Sequence, residues 1–261
     1  MRTLKITVAY DGSGYQGFQK QPHGLAVQNI LEEVFSKLCG EAIVTAGSGR
    51  TDAGVHALAQ TVSFTTGGRI PCGNMVRAAN SMLPKDIVVL EAQEVEEGFH
   101  ARHSACWKEY HYHILINQQD NPFQAQYAWQ LRQLLDVEAM NKAAGYLLGT
   151  HDFSSFRSSG SVDSSPIKTI YHAFWQPLPS SSLYFAKEQP LVFTIIGDGF
   201  LYHMVRNLVW SLVQVGLGKR PGGDFVKELN SQRCEFLNSP APAQGLYLAQ
   251  VGYSPYRKGE L

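Results

Sequence analysis

One loop combines small residues with a charged pair: Gly47-Ser-Gly-Arg50-Thr51-Asp52-Ala53-Gly54-Val55-His56-Ala57. Asp52 is a carboxylate on a short side chain, two residues from the Arg50 guanidinium, and glycines on both sides let another backbone approach. Two readings stand side by side. The plain one is a hairpin loop in which Asp52 bonds a turn N–H. The sharper one is a functional loop that holds a carboxylate on a rigid stalk. A second segment, Gly197-Asp-Gly-Phe200-Leu201-Tyr202-His203-Met204-Val205-Arg206-Asn207, places Arg206 on a stretch that is otherwise nearly uncharged. An arginine there either runs its head out to water or meets a carboxylate, because an unpaired buried guanidinium is costly. Asp52 is the partner the sequence offers.

Other patterns suggest chemistry and then fail a positional requirement. Gly12-Ser-Gly14-Tyr-Gln-Gly17 fits G-x-G-x-x-G after a strand, but Pro22 and Gly24 come before any helix opens, so no nucleotide cofactor is expected. His100, His103 and Cys106 are three apart, and His111 and His113 alternate along the next strand. Neither set matches the paired spacing of a zinc site, so no metal is expected. Walker A and G-x-S-x-G sequences are absent.

Hydrophobic periodicity gives the elements that must carry these residues. Leu4, Ile6 and Val8 alternate, predicting a strand over residues 4–10. Val27, Ile30, Leu31, Val34, Phe35 and Leu38 fall at helical spacing, with Gly40 as the stop. Ile43–Thr45 and Thr61–Phe64 are strand-like and flank the Asp52 loop. A helix near Asn74–Met82 ends before Pro84, and Ile87–Leu90 makes a fourth strand. The order is β-α-β-β-α-β. It recurs loosely: strand Tyr110–Leu115, helix Val137–Leu148, strands Lys168–Trp175 and Leu191–Ile196, helix Phe200–Leu217, strand Leu246–Tyr253. Ser180–Gln189 is expected to be a loose loop. The fold class expected is α+β: two ferredoxin-like halves, residues 1–105 and 106–261, whose mostly antiparallel sheets join. Helices would pack on one side, with a cleft on the other.

Composition narrows the partners. The 261 residues carry 22 Lys+Arg against 22 Asp+Glu, so any nucleic acid must be held by local basic patches. Apolar residues at 44% and zero net charge argue against disorder. Cys39, Cys72, Cys106 and Cys234 form no C-x-x-C pair and read as reduced thiols of a cytoplasmic protein. The most apolar run, Phe200–Leu217, contains His203, Arg206 and Asn207 and is too polar for a bilayer.

Taken together, the motifs resemble the TruA family of tRNA pseudouridine synthases. Gly49-Arg-Thr-Asp-Ala-Gly-Val-His-Ala57 is similar to the family's signature loop, and Tyr10–Gln19 to its N-terminal strand and turn. Phe99–Arg102, Lys108–Tyr112, Gly149–Ser154, Phe200–Asn207 and Gly245–Leu248 follow in family order. Phe18 stands where tryptophan is frequent, and Lys108 replaces an arginine.

The resemblance implies isomerisation of uridine to pseudouridine at positions 38 to 40 of the tRNA anticodon stem-loop, by a cytoplasmic homodimer that needs no cofactor. Asp52 would be the nucleophile, Arg206 its partner, and Tyr110 the ring that stacks on a flipped uracil. Substrate contacts are expected from Arg50, Thr51, His56, Arg102, Lys108, Phe200, Leu201, His203 and Leu246. A non-catalytic RNA-binding module of ferredoxin-like fold is the alternative; it has no need of a carboxylate such as Asp52 beside its basic groove. A metal-dependent hydrolase is a third option.

Overall fold

Alternation in the first ten residues produces an interior strand, with Leu4, Ile6 and Val8 fully buried. The computed structural model describes residues 1–21, 24–158, 165–178, 188–231 and 240–257. The chain forms two units. One comprises Met1–Cys106 with Tyr247–Pro255; the other comprises the described residues of Trp107–Leu246 and Tyr256–Leu261. Each is α+β with a mostly antiparallel sheet.

The first unit contains β1 (Arg2–Tyr10), α1 (Val27–Cys39), β2 (Ala46–Gly47), β3 (His56–Thr66), α2 (Cys72–Met82) and β4 (Ile87–Val95). The second contains β5 (Trp107–Ile116), β6 (Trp129–Leu131), α3 (Val137–Ala144), β7 (Gly149–Asp152), β8 (Ile167–Pro177), β9 (Gln189–Gly197), α4 (Met204–Gly216) and α5 (Gly222–Ser231). The last strand, β10 (Leu246–Gly252), returns to the first unit from Tyr247 onward.

In the first sheet β1 lies between β4 and β3, antiparallel to both. The other edge of β3 is shared. Near its end it takes β2, with Ala46 opposite Ser63; at its start it takes β10 in parallel, with Tyr247 opposite His56. Helices α1 and α2 cover this sheet with Val27, Leu31, Phe35, Met75 and Ala79, all buried. Neither helix has a side-chain N-cap bond, so apolar packing rather than capping holds them. Gly40 ends α1 in the left-handed conformation that the stop signal requires. In the second unit β9 lies between β5 and β8, and β7 extends the sheet beyond β8. Its core is built from Tyr112, Phe156, Trp175, Phe193, Leu208, Leu212 and Phe225.

Five elements differ from the periodicity, and two of these, the short strands β6 and β7, have no counterpart in it. The helix expected over Phe200–Leu217 begins at Met204, because His203 adopts a positive φ of 61° and 198–203 form an irregular lead-in. Arg206 therefore sits in the first turn of α4, not in mid-helix. The strand expected at Ile43–Thr45 is displaced to the two residues of β2. Helix α5 has no counterpart in the sequence pattern; its buried Glu228 pairs with Arg220 and accepts from Ser211. Residues 180–187 of the expected loose loop and Cys234 lie outside the described residues, and Gln189 already belongs to β9. Cys39, Cys72 and Cys106 are free thiols. Among the described residues no helix is long and apolar enough to cross a membrane.

Candidate active site

Asp52 occupies the first position of a tight turn. The Val55 N–H donates to the Asp52 carbonyl at 3.1 Å, and Gly54 supplies the positive φ of 78° that a type II turn needs at its third residue. The carboxylate is half-buried, Arg50 is exposed, and Thr51 and His56 are buried. On the strand side, Gln60 is fully buried; its amide donates to the Gly49 carbonyl at 2.9 Å and its oxygen accepts from the Ser48 hydroxyl. A buried glutamine among apolar strand positions is the only sequence signal of this support.

The N-terminal turn after β1 supplies the rest. The Phe18 N–H donates to the Thr51 carbonyl at 3.0 Å, and the Tyr10 hydroxyl lies 2.7 Å from Thr51 Oγ1. The Gly12 N–H donates to His56 Nδ1 at 3.1 Å. A Cβ on Gly12 would fall 2.0 Å from the Val55 carbonyl oxygen, and one on Gly17 would fall 2.6 Å from that of Thr51. Gly14 has open space around it. The G-x-G-x-x-G match thus has a physical reason at its two ends: they are where the turn's backbone lies flat against the Asp52 loop.

Arg102 is exposed on a separate loop of the same unit. That loop is fixed by the Ala101 N–H donating to Ser63 Oγ at 2.9 Å, and by the Tyr253 hydroxyl donating to the Ala101 carbonyl at 2.9 Å. His100 shapes it, accepting the Arg102 N–H on Nδ1 at 3.1 Å. Burial holds the His100 imidazole below its ordinary pKa, and His103 and Arg102 add to the effect. Among the described residues no three His, Cys, Asp or Glu side chains are grouped to hold a metal ion. His100 and His103 pack ring to ring, and His111 pairs with the Glu109 carboxylate at 2.7 Å.

The second unit gathers the other expected residues. Tyr110 on β5 is 8% exposed and meets Phe200 edge-to-face, with ring centroids 5.1 Å apart. Lys108, half-buried, lies opposite Gly197 on β9. Leu201 is buried ahead of α4, and Leu246 is buried at the start of β10. His203 stacks under the exposed Tyr202 ring at 3.8 Å, with its Nδ1 3.1 Å from Ser158 Oγ. Its left-handed backbone is held by the Ser158 N–H donating to the Tyr202 carbonyl at 3.2 Å. The Arg206 Nε donates to the Ala241 carbonyl at 2.7 Å, which aims the guanidinium. Next to it, the Tyr112 hydroxyl donates to the Pro242 carbonyl at 2.8 Å. Ser158 and the 240–242 segment carry no motif that the sequence alone would mark.

The sequence model of the tRNA pseudouridine synthase family matches residues 6–104 and 143–254. The chain is 42% identical over 254 residues to tRNA pseudouridine synthase A of Thermoanaerobacter sp. (strain X514), covering 97% of this chain and 100% of that one. It is 44% identical over 255 residues to tRNA pseudouridine synthase A of Moorella thermoacetica, with the same coverage. The corresponding protein of Acetivibrio thermocellus is 41% identical over 254 residues. The chain belongs to the tRNA pseudouridine synthase family.

Proposed function

We propose that this chain is an isomerase that converts uridine to pseudouridine at positions 38, 39 and 40 of the tRNA anticodon stem-loop, with Asp52 as nucleophile. The observation that carries the reading is the Asp52 turn: a half-buried carboxylate held at both flanks, in a chain of this family. A carboxylate so fixed can attack carbon without spending motion on the search. The Asp52 carboxylate bonds a carbon of the nucleotide and is released again before product leaves; the glycosidic C–N bond breaks, uracil turns within the site, and its C5 bonds the ribose C1′. N1 gains a proton and C5 loses one, so nothing is consumed.

Tyr110 stacks on the flipped base, and Phe200 buttresses its ring. Arg206 is the proposed partner of the Asp52 carboxylate, and its Nε bond to the Ala241 carbonyl orients the guanidinium. Arg50, Arg102, Lys108 and His203 reach phosphates or ribose hydroxyls. The β-α-β-β-α-β order of β1 to β4 supports a ferredoxin-like first half, and the looser recurrence of that order along the rest of the chain supports a second. The working form is a cytoplasmic homodimer.

The test is tritium release from tRNA labelled at C5 of uridine, with mapping of the product positions. Release confined to positions 38 to 40 supports the reading. Tight tRNA binding with no release would make the chain an RNA-binding module instead.

A further inference from the structure

A short side chain cannot search for its target, so the reach of Asp52 is set by its backbone. That backbone is gripped on both sides by the segment from Tyr10 to Phe18. Before Asp52, Thr51 is held through its carbonyl by the Phe18 N–H at 3.0 Å and through its hydroxyl by Tyr10 at 2.7 Å. After the turn, His56 Nδ1 accepts the Gly12 N–H at 3.1 Å. The same nitrogen lies 3.2 Å from Asp11 Oδ1, and the imidazole stacks on Tyr247 with centroids 4.7 Å apart. Gly12 and Gly17 close the grip, because neither position has room for a Cβ.

The family resemblance groups His56 with the RNA contacts. Its ring, however, is 2% exposed, and the Tyr10 ring is 4% exposed. We infer that His56 and Tyr10 are positioning residues for pseudouridine formation: they fix the two ends of the Asp52 turn and touch no part of the tRNA. The inference rests on the reading of Asp52 as nucleophile. Accepting from Gly12 requires a lone pair on Nδ1, which places the ring proton on Nε2. An asparagine at position 56 can bring its Oδ1 to the place of Nδ1 and accept the same N–H; an alanine cannot. Replacing Tyr10 by phenylalanine deletes one oxygen and leaves the buried ring.

The experiment measures single-turnover rate, tRNA affinity and thermal midpoint for the wild type, His56→Ala, His56→Asn, Tyr10→Phe and Asp52→Asn. Displacing a reacting group by an ångström costs on the order of 10²-fold in rate, and His56→Ala is expected to lose about that much. Its tRNA affinity should stay within about threefold of wild type, a change of less than one tenfold step. His56→Asn should recover roughly tenfold of the rate, and Tyr10→Phe should lose roughly tenfold, as one hydrogen bond of about 1.4 kcal/mol would give. A wild-type rate in His56→Ala would overturn the inference. So would a loss that follows weakened tRNA binding, since that would make His56 an RNA contact. So would an asparagine variant no faster than alanine. If His56→Ala does not fold, Tyr10→Phe decides: a wild-type rate overturns the inference and a tenfold loss at unchanged affinity supports it. Turnover by Asp52→Asn is a separate result, because it removes the nucleophile reading and not the grip.

Discussion

The Tyr10 hydroxyl meets Thr51 Oγ1 at 2.7 Å, so the last residue of the first strand holds the residue immediately before Asp52. The two are 41 positions apart in sequence. Burial raises the Tyr10 phenol well above its ordinary value, which keeps the proton on that oxygen across the neutral range.

The same effect predicts alkaline behaviour. Burial also raises the Tyr112 phenol and pushes that of Tyr253 up to about 12. An unfolded tyrosine loses its proton near pH ~10. Above that pH the unfolded chain binds fewer protons than the folded one, so stability falls as pH rises. The stability these groups contribute is complete below about pH 10 and is lost as pH climbs through the folded values. A tyrosinate absorbance titration should therefore show a fraction of rings titrating only with unfolding. Ordinary titration of every ring in a folded protein would refute the burial.

Gly17 and Gly14 provide a matched pair within one motif. Gly17 has φ +89°, and its Cβ would meet the Thr51 carbonyl oxygen at 2.6 Å, whereas Gly14 has open space. Gly17→Ala should cost about 1–3 kcal/mol in denaturant unfolding and lower activity with it. Gly14→Ala should stay within about 0.5 kcal/mol of wild type. Equal effects at the two positions would contradict the close approach.

Arg206 stands in the first turn of α4, where the helix dipole disfavours a cation. A residue kept there against that field points to function rather than stability. Arg206→Met should reduce activity by on the order of 10²-fold or more, as loss of a charged partner at a reacting group does. Its unfolding free energy should change far less, by about 1 kcal/mol for the lost Nε–Ala241 hydrogen bond. Near-normal turnover, checked by the same tritium assay, would end this assignment.

A neutral chain must hold a polyanion with a local basic surface. Affinity for tRNA should fall with log salt by a slope of roughly −0.7 to −0.9 per phosphate neutralised. Arg102→Ala, at an exposed guanidinium, should flatten that slope by about one such unit. Tyr110→Phe should leave it alone, because stacking is not a charge effect. A salt titration of wild type and both variants checks this, and an Arg102→Ala slope equal to wild type's would contradict it.

What could be read in advance was local. Apart from the displaced β2, the first six elements follow from period-2 and period-3.6 spacing, and Gly40 and Pro84 stop their helices as composition dictates. The start of α4 was hidden because Phe200 and Leu201 continue its apolar face in sequence, while the left-handed backbone of His203 leaves no mark there. Helix α5 was hidden because its two leading glycines read as loop and one of its inward residues is Glu228, whose Oε2 meets Arg220 and Ser211. The pairing of β10 with β3 joins residues almost two hundred positions apart. At the site, residue types alone marked the Asp52 loop. Its grip was invisible, since Tyr10–Thr51 and Gly12–His56 are hydrogen bonds across 41 and 44 positions.

The most direct measurement is tritium release from C5-labelled uridine tRNA by wild type and Asp52→Asn, each purified free of host enzyme, with tRNA affinity recorded alongside. The substitution keeps the shape of the side chain and replaces a carboxylate by an amide that cannot attack carbon. The expected result is release by wild type, none by Asp52→Asn, and similar tRNA affinity for both. Appreciable release by folded Asp52→Asn would contradict the assignment of Asp52 as the nucleophile.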